Sequence, residues 1–279
     1  MTSRAVARAR EATTLLFVPG DRPERFGKAV ASGASLVVLD LEDAVAPERK
    51  VYAREQVVAW LEENPECAVR VNAAGTAWHD EDLAVLRRRR CTVMLPKAEP
   101  ATTRAAAEQL GVLPAVIALV ETARGILDAR ETATVPNVQR LAFGSFDLAA
   151  ELGADPADRD AFVAARGALV LASAAAGLPG PIDGVTADLD NEAHLTDEVR
   201  YARRLGFAGK LCVHPKQVPV AAAALRPTRE EIRWAHSILD AGAGGAVAVN
   251  GQMVDKPVLE RAQRVLRQAR EGNGQVSNS

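Results

Sequence analysis

The chain has 279 residues, 48% of them hydrophobic and 25% charged, and a formal net charge of −2. This composition is ordinary for a globular protein, and the nearly balanced charge provides no basic field, so we exclude nucleic acid as a partner. No apolar stretch approaches the roughly 20 residues that cross a bilayer, so we expect no membrane association.

The first 14 residues are rich in arginine and lack the apolar segment of a secretory signal. We expect residues 1–14 to be a disordered leader outside the fold. The predicted fold occupies residues 15–227.

Eight short apolar runs follow, each succeeded by an amphipathic segment. Apolar runs of this length are typical of strands buried on both faces, as in parallel sheets. The predicted strands are Leu15–Gly20, Ser35–Asp43, Ala68–Ala73, Thr92–Ala98, Ala115–Thr122, Arg140–Asp147, Pro181–Thr186 and Gly209–Pro215. The predicted helices include Pro23–Ser32, Glu48–Glu63, Asp80–Arg89, Thr102–Leu110, Asp160–Ala176 and Asp197–Leu205. Eight strands alternating with helices predict an α/β fold closed as a (β/α)₈ TIM barrel.

A doubly wound open sheet is the alternative architecture. Such folds normally carry a Gly-rich phosphate loop after an early strand. The corresponding segment here, Pro19–Pro23, lacks those glycines. The barrel is therefore favoured.

Residues 228–271 are not needed to close a barrel. Thr228 has the character of a helix cap, Gly242–Gly245 predicts a hinge, and Pro257 marks the start of a last helix. We expect a C-terminal helical extension that is a lid or an oligomer arm. The polar end, residues 272–279, is expected to be a disordered tail.

The three cysteines, Cys67, Cys91 and Cys212, form no CxxC pair and have no metal-ligand spacing. Buried, reduced thiols are the expected state. Reduced thiols are typical of a reducing compartment, so we expect a cytoplasmic protein.

Active sites of (β/α)₈ barrels lie at the carboxyl ends of the strands. The polar residues at those ends are Asp40, Glu42, Asp43, Arg70, Asn72, Lys97, Glu99, Glu121, Asp147 and His214. Carboxylates without a Cys or His cluster form an all-oxygen site, which suits Mg²⁺. Glu121 and Asp147 are the predicted metal ligands. The alternative is that each acid caps a helix or pairs with a surface base.

Arg70 lies on an apolar strand, where an unpaired charge is costly, so it requires an anionic partner. Its planar fork fits a substrate carboxylate; the alternative is an ion pair with Glu42 or Asp43. His214 is either a structural histidine or a base. A Schiff base on Lys97 is a minor alternative.

Segments distributed along nearly the whole chain resemble the citrate lyase β-subunit-like (HpcH/HpaI) aldolases, a family that includes malyl-CoA, citramalyl-CoA and citryl-CoA lyases. The ordered set is specific although each segment alone is weak. The matching segments are Leu16–Phe26 with Lys28, Leu39–Val45, Arg70–Asn72, Met94–Lys97, Leu119–Gly125, Phe143–Leu148, Cys212–Gln217 and Gly251–Pro257.

The resemblance implies a barrel in which Glu121 and Asp147 hold Mg²⁺ and Arg70 grips the substrate carboxylate. The residues implied to receive coenzyme A are Phe17, Arg22, Lys28, Phe146 and His214. Support around the site is expected from Asp40, Glu42, Asp43 and Lys97. The resemblance also implies a homo-oligomer, often a trimer, in which the lid of one subunit covers a neighbour's site and delivers Asp255 as the catalytic acid.

The implied function is a Mg²⁺-dependent carbon–carbon lyase that cleaves a 3-hydroxyacyl-CoA to an acyl-CoA and a 2-keto acid, or the reverse condensation. Two alternatives stay open. One is a class II aldolase acting on a free hydroxy-keto acid. The other is a subunit of a larger citrate lyase-like complex, although the basic run Arg87–Arg90 that would meet an acidic carrier is better interpreted as a solvated helix end. One departure is Phe146, where several family members have a polar or acidic residue.

Overall fold

The computed structural model describes residues 4–87, 89–112, 114–241, 247–249 and 252–274. The chain divides into two compact units, Met1–Ala222 and Ala223–Ser279. Each unit has a hydrophobic core of its own. The division falls between Ala222 and Ala223, whereas the expected boundary followed residue 227.

Eight parallel strands of the first unit form a closed barrel in chain order, with β8 pairing back to β1. The strands are β1 (Thr14–Pro19), β2 (Leu36–Asp40), β3 (Ala68–Arg70), β4 (Thr92–Leu95), β5 (Ala115–Val120), β6 (Val138–Phe143), β7 (Ile182–Asp183) and β8 (Gly209–Cys212). The predicted (β/α)₈ barrel is confirmed. The strands end earlier than the predicted runs, as at β2, where the Asp40 carboxylate accepts the backbone N–H groups of Glu42 and Ala44 and turns the chain out of the sheet.

Helices alternate with the strands around the barrel. They are α1 (Arg4–Glu11), α2 (Phe26–Val30), α3 (Lys50–Glu63), α4 (His79–Leu86), α5 (Pro100–Leu110), α6 (Ala123–Leu127), α7 (Ala129–Ala133), α8 (Ser145–Leu152), α9 (Val163–Ala175), α10 (Glu192–Leu205) and α11 (Gln217–Leu225). Short 3₁₀ turns lie at Pro23–Arg25, Pro47–Arg49 and Arg159–Phe162. Helices α6 and α7 were not predicted, because five residues are too few to show a helical period.

The expectation that residues 1–14 form a disordered leader is wrong for the described part. Helix α1 buries Ala5 and Ala9, together with Ala12, in the core cluster of the barrel. Near the start of β6, Arg140 donates hydrogen bonds to the carbonyl oxygens of Arg10 and Ala12 at 2.6 and 2.8 Å. These alanines, spaced by four and then three residues, lie on one face of a helix. The face is only weakly apolar and is flanked by arginines, so the sequence pattern did not predict a buried helix. Helix α1 therefore closes the amino-terminal end of the barrel.

A buried charge network connects β7 to β8. Asp183 accepts hydrogen bonds from Arg166 Nε at 2.9 Å and Lys210 Nζ at 3.0 Å, and all three side chains are buried. Burial alone would raise the pKa of Asp183, but the two cations outweigh burial and lower it. Asp183 is therefore ionised. Glu198 Oε2 lies 3.8 Å from Lys210 Nζ, so the two carboxylates together balance the charges of Lys210 and Arg166.

All three cysteines are free and buried, as expected. Burial raises the pKa of Cys67 to about 11 and those of Cys91 and Cys212 to about 12. The thiols are therefore protonated and unreactive at neutral pH. Among the described helices, none combines the length and the apolar character that a bilayer crossing requires.

The second unit consists of α12 (Arg229–Ala241), β9 (Val247–Val249), β10 (Gln252–Val254) and α13 (Lys256–Gly274), with β9 and β10 antiparallel. Thr228 caps α12, because its Oγ1 accepts the backbone N–H of Glu231 while its own N–H donates to the Glu231 carboxylate. The core of this unit contains Ala235, Ile238, Val254, Ala262 and Val265.

Two expectations for this unit concern its irregular segments. The predicted hinge, Gly242–Gly245, lies outside the described residues, as do residues 275–279. Helix α13 continues to Gly274, so residues 272–274 are helical and the prediction of a disordered tail from residue 272 is wrong for them.

Candidate active site

A cavity of about 380 Å³ opens at the carboxyl ends of the barrel strands. Its charged lining consists of Asp40, Asp43, Arg70, Glu121 and Asp147, and its apolar lining includes Phe17, Leu119, Phe143, Phe146, Val185, Leu211 and Val213. Five charged residues that were predicted from their positions at the carboxyl ends of strands thus lie together in this cavity. A larger groove is lined by Val85, Arg87 and Arg89 and has no carboxylate in its lining. It lies at the carboxyl-terminal end of α4.

Arg70 is held by carboxylates of the loop that follows β2. Its Nε and Nη2 each donate to one oxygen of Asp40 at 2.7 Å, and its Nη1 donates to Asp43 Oδ2 at 3.1 Å. Oε2 of Glu42 lies 3.1 Å from the same Nη1. Burial alone would lower the pKa of Arg70, but these acids outweigh burial and raise it. The ion pairs with Glu42 and Asp43 are therefore present, and Asp40 joins them.

Phe17 contributes to the same cluster from β1. Its ring centroid lies 4.7 Å from the guanidinium carbon of Arg70, which is a cation–π distance. Phe17 was expected at the coenzyme A moiety, and the structure places it against Arg70 as well as in the cavity wall.

Glu121 follows β5 and is only 3% exposed. Its Oε1 accepts the backbone N–H of Lys97 at 2.8 Å, and Lys97 adopts a left-handed φ of 48°. A Cβ at Gly144 would overlap the Glu121 side chain, so the carboxylate packs directly on that glycine. The supporting contribution of Lys97 is thus made by its backbone. Its side chain is exposed and does not line the cavity, which gives no support to the Schiff-base alternative.

Asp147 lies in the first turn of α8, not at the end of a strand as predicted, because the helix begins at Ser145 directly after β6 and Gly144. Burial raises the pKa of Glu121 to about 8, with the charges of Glu42 and Asp147 adding to the rise. Burial raises the pKa of Glu42 to about 7, and Oε2 of Glu42 accepts no hydrogen bond from the described residues.

This group of acids fits a cation. Besides burial, the charges of Glu42 and Asp147 raise the pKa of Glu121, so a positive charge near these carboxylates would stabilise their ionised forms. No three His, Cys, Asp or Glu side chains of the described chain form a complete metal site. A pair of carboxylates is nevertheless what Mg²⁺ takes from proteins, since it retains waters and binds substrate oxygens.

The remaining residues expected at coenzyme A differ in their placement. Phe146 lines the cavity and is 41% exposed. Arg22 is exposed beside Asp21 after β1, Lys28 is exposed on α2, and Nδ1 of His214 accepts the backbone N–H of Lys216 after β8. These three do not line the cavity. Because β1 pairs with β8, however, the residues following the two strands share one sector of the rim.

Two strand-end residues turn away from the site. Asn72 donates to Asp82 at 2.7 Å from its side chain and at 3.0 Å from its backbone, and Glu99 accepts from Thr122 Oγ1 at 3.1 Å. Gly144 and Ser145, which were not among the predicted site residues, also line the cavity. The available signal was their place between a strand and a helix.

Asp255 lies in the second unit, immediately before α13. It is exposed, and its Oδ1 accepts the backbone N–H of Val258 at 3.2 Å, which makes it the cap of that helix. Its role in proton transfer stays a prediction.

Residues 13–215 match the family model described as HpcH/HpaI aldolase/citrate lyase, and residues 170–271 match a model described as C–C bond lyase of the TIM-barrel fold. A citrate lyase subunit beta-like protein of Mycobacterium tuberculosis is 42% identical over 93% of this chain and 96% of its own length. A (3S)-malyl-CoA thioesterase of Cereibacter sphaeroides is 34% identical over 92% of this chain and 94% of its own.

Solved structures of a citrate lyase beta subunit (CitE) from M. tuberculosis share the fold. One, containing magnesium, acetoacetate and coenzyme A, has a TM-score of 0.84 and 41% identity, covering 93% of this chain and 99% of that one. Another, containing oxaloacetate and magnesium, has a TM-score of 0.70 and 40% identity, covering 79% and 100%. With its barrel, its strand-end carboxylates and these relatives, the chain belongs to the HpcH/HpaI aldolase/citrate lyase family of carbon–carbon bond lyases.

Proposed function

We propose that the chain is a Mg²⁺-dependent lyase that cleaves a 3-hydroxyacyl-CoA to an acyl-CoA and a 2-keto acid, or catalyses the reverse condensation. The observation that carries the proposal is the shared cavity in which the buried Glu121 and the neighbouring Asp147 accompany Arg70. Two acids for a divalent cation and one guanidinium for a carboxylate are the groups this chemistry requires.

Glu121 and Asp147 would hold the Mg²⁺. When bound, the ion supplies a Lewis acid for the oxygen that becomes the keto group. Lys97 N–H and the backbone at Gly144 fix the Glu121 carboxylate from two sides, so it is oriented before metal binds. The magnesium in crystals of the M. tuberculosis relative supports this part of the proposal.

Arg70 would bind the substrate carboxylate through Nη1. Its other edge is committed to the buried Asp40, whereas its partner Asp43 is 62% exposed and able to swing into solvent. The substrate would therefore replace Asp43 at Arg70. Because Asp40 keeps the guanidinium oriented throughout, the positive charge stays aimed at the reacting end of the substrate.

The thioester end would extend across the rim. Phe17 and Phe146 offer apolar surface, and Arg22 and Lys28 offer exposed cations that suit phosphates. Coenzyme A in a crystal of the M. tuberculosis relative, and the malyl-CoA named for the C. sphaeroides relative, support a thioester substrate.

A proton must leave the substrate hydroxyl and another must reach the carbon released from the bond. We assign the second transfer to Asp255 of a neighbouring subunit in a homo-oligomer, a trimer in the simplest case. Its exposed carboxylate directly follows β10 and is available for such a role. Sedimentation of the intact chain tests the oligomer.

The deciding experiment is a cleavage assay with malyl-, citramalyl-, citryl- and 3-hydroxy-3-methylglutaryl-CoA, reading the released keto acid. We expect Mg²⁺-dependent cleavage of at least one thioester that is abolished by a chelator. Absence of cleavage, and of condensation, with every member of this panel would refute the proposal.

Coenzyme A titration separates this function from an aldolase acting on free acids. We expect saturable binding that weakens in Arg22→Ala. Arg25→Ala is the matched control, because Arg25 is equally exposed on the following turn and pairs with Glu24. Turnover by the isolated chain would also exclude a subunit that depends on a carrier protein.

A further inference from the structure

The backbone pairing of β7 with β8 stops short of the cavity. Strand β7 has two residues, and its pairing with β8 ends at Asp183 and Lys210. Its pairing with β6 is confined to one residue pair. The chain nevertheless lines the cavity beyond both strands, through Val185 after β7 and Val213 after β8. This part of the wall is therefore not positioned by the sheet itself.

The side chain of Gln217 connects the two segments. Gln217 is the first residue of α11 and is 2% exposed. Its Oε1 accepts the backbone N–H of Val213 at 2.9 Å, and its Nε2 donates to the backbone carbonyl of Thr186 at 2.8 Å. A planar amide with one acceptor and one donor offers what a peptide group offers in a sheet. The side chain thus takes the place of a backbone pair beyond the end of β7.

The segment after β7 is itself firmly placed. Thr186 is buried, and its Oγ1 donates to Glu198 Oε2 on α10 at 2.7 Å. On the side of β6, a Cβ at Gly184 would lie 2.7 Å from Oγ of Ser145, so the two segments pack directly on each other. Gln217 therefore connects the loop after β8 to a segment that is held from two sides.

The loop after β8 has weaker connections of its own. Lys216 N–H donates to Nδ1 of His214 at 3.1 Å, and Gln217 N–H donates to the His214 carbonyl at 3.0 Å, but both bonds lie within the loop. Lys216 also lies 3.7 Å from Asp190, and both of those side chains are exposed. Exposed pairs of this kind contribute little. The buried connection between the two walls is the Gln217 amide.

The wall formed by these segments is apolar and lies away from the charged groups. Glu121 and Asp147 follow β5 and β6, whereas β7 and β8 contribute Val185, Leu211 and Val213. Strand β8 pairs with β1, which carries Phe17. Since the carboxylate and the metal belong at the charged groups in the proposed function, the acyl thioester half of the substrate meets the apolar wall.

We propose that Gln217 is a positioning residue, which touches no substrate atom and holds Val185 and Val213 at the spacing that the thioester half of the substrate requires. This inference rests on the proposed function. An apolar residue at position 217 would leave a buried carbonyl and an N–H without partners. Relaxation of those groups would shift both valines, and shifts of about 1 Å in a binding wall have large effects on substrate binding.

The first test is Gln217→Met, which preserves length and removes both hydrogen bonds. We expect KM for the cleaved thioester to rise at least about tenfold, with kcat within about threefold of wild type. Mg²⁺ affinity is expected to stay unchanged, because the carboxylates lie on other strands. Gln109→Met is the matched control, since Gln109 lies on α5 outside the cavity lining. A fall in kcat with KM unchanged would overturn the inference.

The second test uses Gln217→Glu, whose effect depends on pH. When protonated, the introduced carboxyl can still accept from Val213 and donate to the Thr186 carbonyl; when ionised, it cannot donate. Burial and the facing carbonyl raise the pKa of such a carboxyl. We therefore expect the ratio of variant to wild-type KM to be near one at about pH 5.5 and at least about tenfold at about pH 8.5.

The KM ratio isolates position 217, because the ionisable neighbours along these contacts are the same in both proteins. They are Glu198, Lys210, His214 and Lys216. A ratio that does not change with pH would overturn the inference, and this test decides alone if Gln217→Met does not fold.

Hydrogen exchange of the Val213 amide gives a readout without turnover. We expect it to be at least about tenfold faster in Gln217→Met than in wild type, because its acceptor is lost. Absence of cleavage by the wild-type protein would mark failure of the proposed function, and the exchange rate would still show whether Gln217 holds the loop. Wild-type cleavage with unchanged KM in both variants would refute the positioning inference alone.

Discussion

Asp40 and Arg70 form a two-pronged ion pair, with Nε and Nη2 of the arginine each 2.7 Å from one carboxylate oxygen. The same carboxylate accepts the backbone N–H groups of Glu42 and Ala44. One buried side chain therefore orients Arg70 and shapes the loop that presents two further acids, Glu42 and Asp43. The geometry of this half of the site depends on Asp40.

Asp40→Asn should disable the enzyme and weaken the fold. The amide has one acceptor oxygen in place of two and removes the charge that balances buried Arg70. We expect kcat/KM to fall at least about 100-fold and the free energy of unfolding by about 3 kcal/mol, as for a broken buried pair. Activity assays and urea titrations measure both. The exposed Asp43→Asn should lower the free energy of unfolding by less than about 1 kcal/mol, and equal effects would contradict this account.

Glu121→Gln and Asp147→Asn should abolish Mg²⁺ binding or weaken it severely while preserving the barrel. Glutamine matches the size of Glu121 and removes a charge whose burial is unfavourable, so the unfolding midpoint should not fall. Calorimetric Mg²⁺ titration and circular dichroism check the two statements. Glu99→Gln is the control, since Glu99 also follows a strand but lies outside the cavity lining. Unchanged Mg²⁺ affinity in both site variants would disprove the metal assignment.

Gly144→Ala should misplace Glu121, because the added Cβ would overlap its side chain. We expect Mg²⁺ affinity and kcat/KM each to drop at least about tenfold in a protein that still folds. Gly167→Ala is the comparison, as a Cβ there meets no atom within 4 Å on helix α9. That change should be neutral or stabilise by up to about 1 kcal/mol.

Removal of residues 1–11 should destabilise the barrel without altering its chemistry. The deletion uncovers core next to Ala12 and takes from Arg140 the carbonyl of Arg10, leaving those of Ala12 and Gly180. We expect a loss of about 2–4 kcal/mol in urea unfolding, with kcat/KM at low temperature within about twofold of the full chain. An unchanged urea midpoint would show that α1 does not close the barrel in solution.

Asp183 provides a prediction for pH. Its folded pKa is lowered from 3.8, so its contribution to stability is present above pH 3.8 and is lost as pH falls through the folded value. Asp183→Asn removes the carboxylate that contacts both Arg166 and Lys210, leaves Lys210 only the longer pair with Glu198, and should lower the free energy of unfolding by about 3–5 kcal/mol. The gap from wild type should stay constant between pH 7 and 5 and narrow only below about pH 4. A gap that closes near pH 6 would mean that Asp183 is not ionised by its two cations.

Much of the site was predictable because the carboxyl ends of all eight parallel strands lie at the same end of the barrel. Asp40, Arg70 and Glu121 stand at the ends of apolar runs, and parallel strands bring all such ends to one face. Asp147 was placed correctly at that face although it lies on a helix, because α8 begins only two residues after β6 ends. The assignment of coenzyme A contacts depended on resemblance, and the structure brings only Phe17 and Phe146 to the cavity.

The sequence by itself determined the barrel and the face that carries the site, since both follow from local features: apolar runs of strand length and the polar residues that end them. Only the tertiary structure decided which partner each charge takes. Asp40 and Arg70 are 30 residues apart, and Gly144 meets Glu121 across two neighbouring strands. The tertiary structure also decided that the arginine-rich start of the chain is a helix that closes the barrel. Its alanines are buried because the barrel offers a complementary surface. Such contacts depend on distances between segments remote in the chain, which no local pattern encodes.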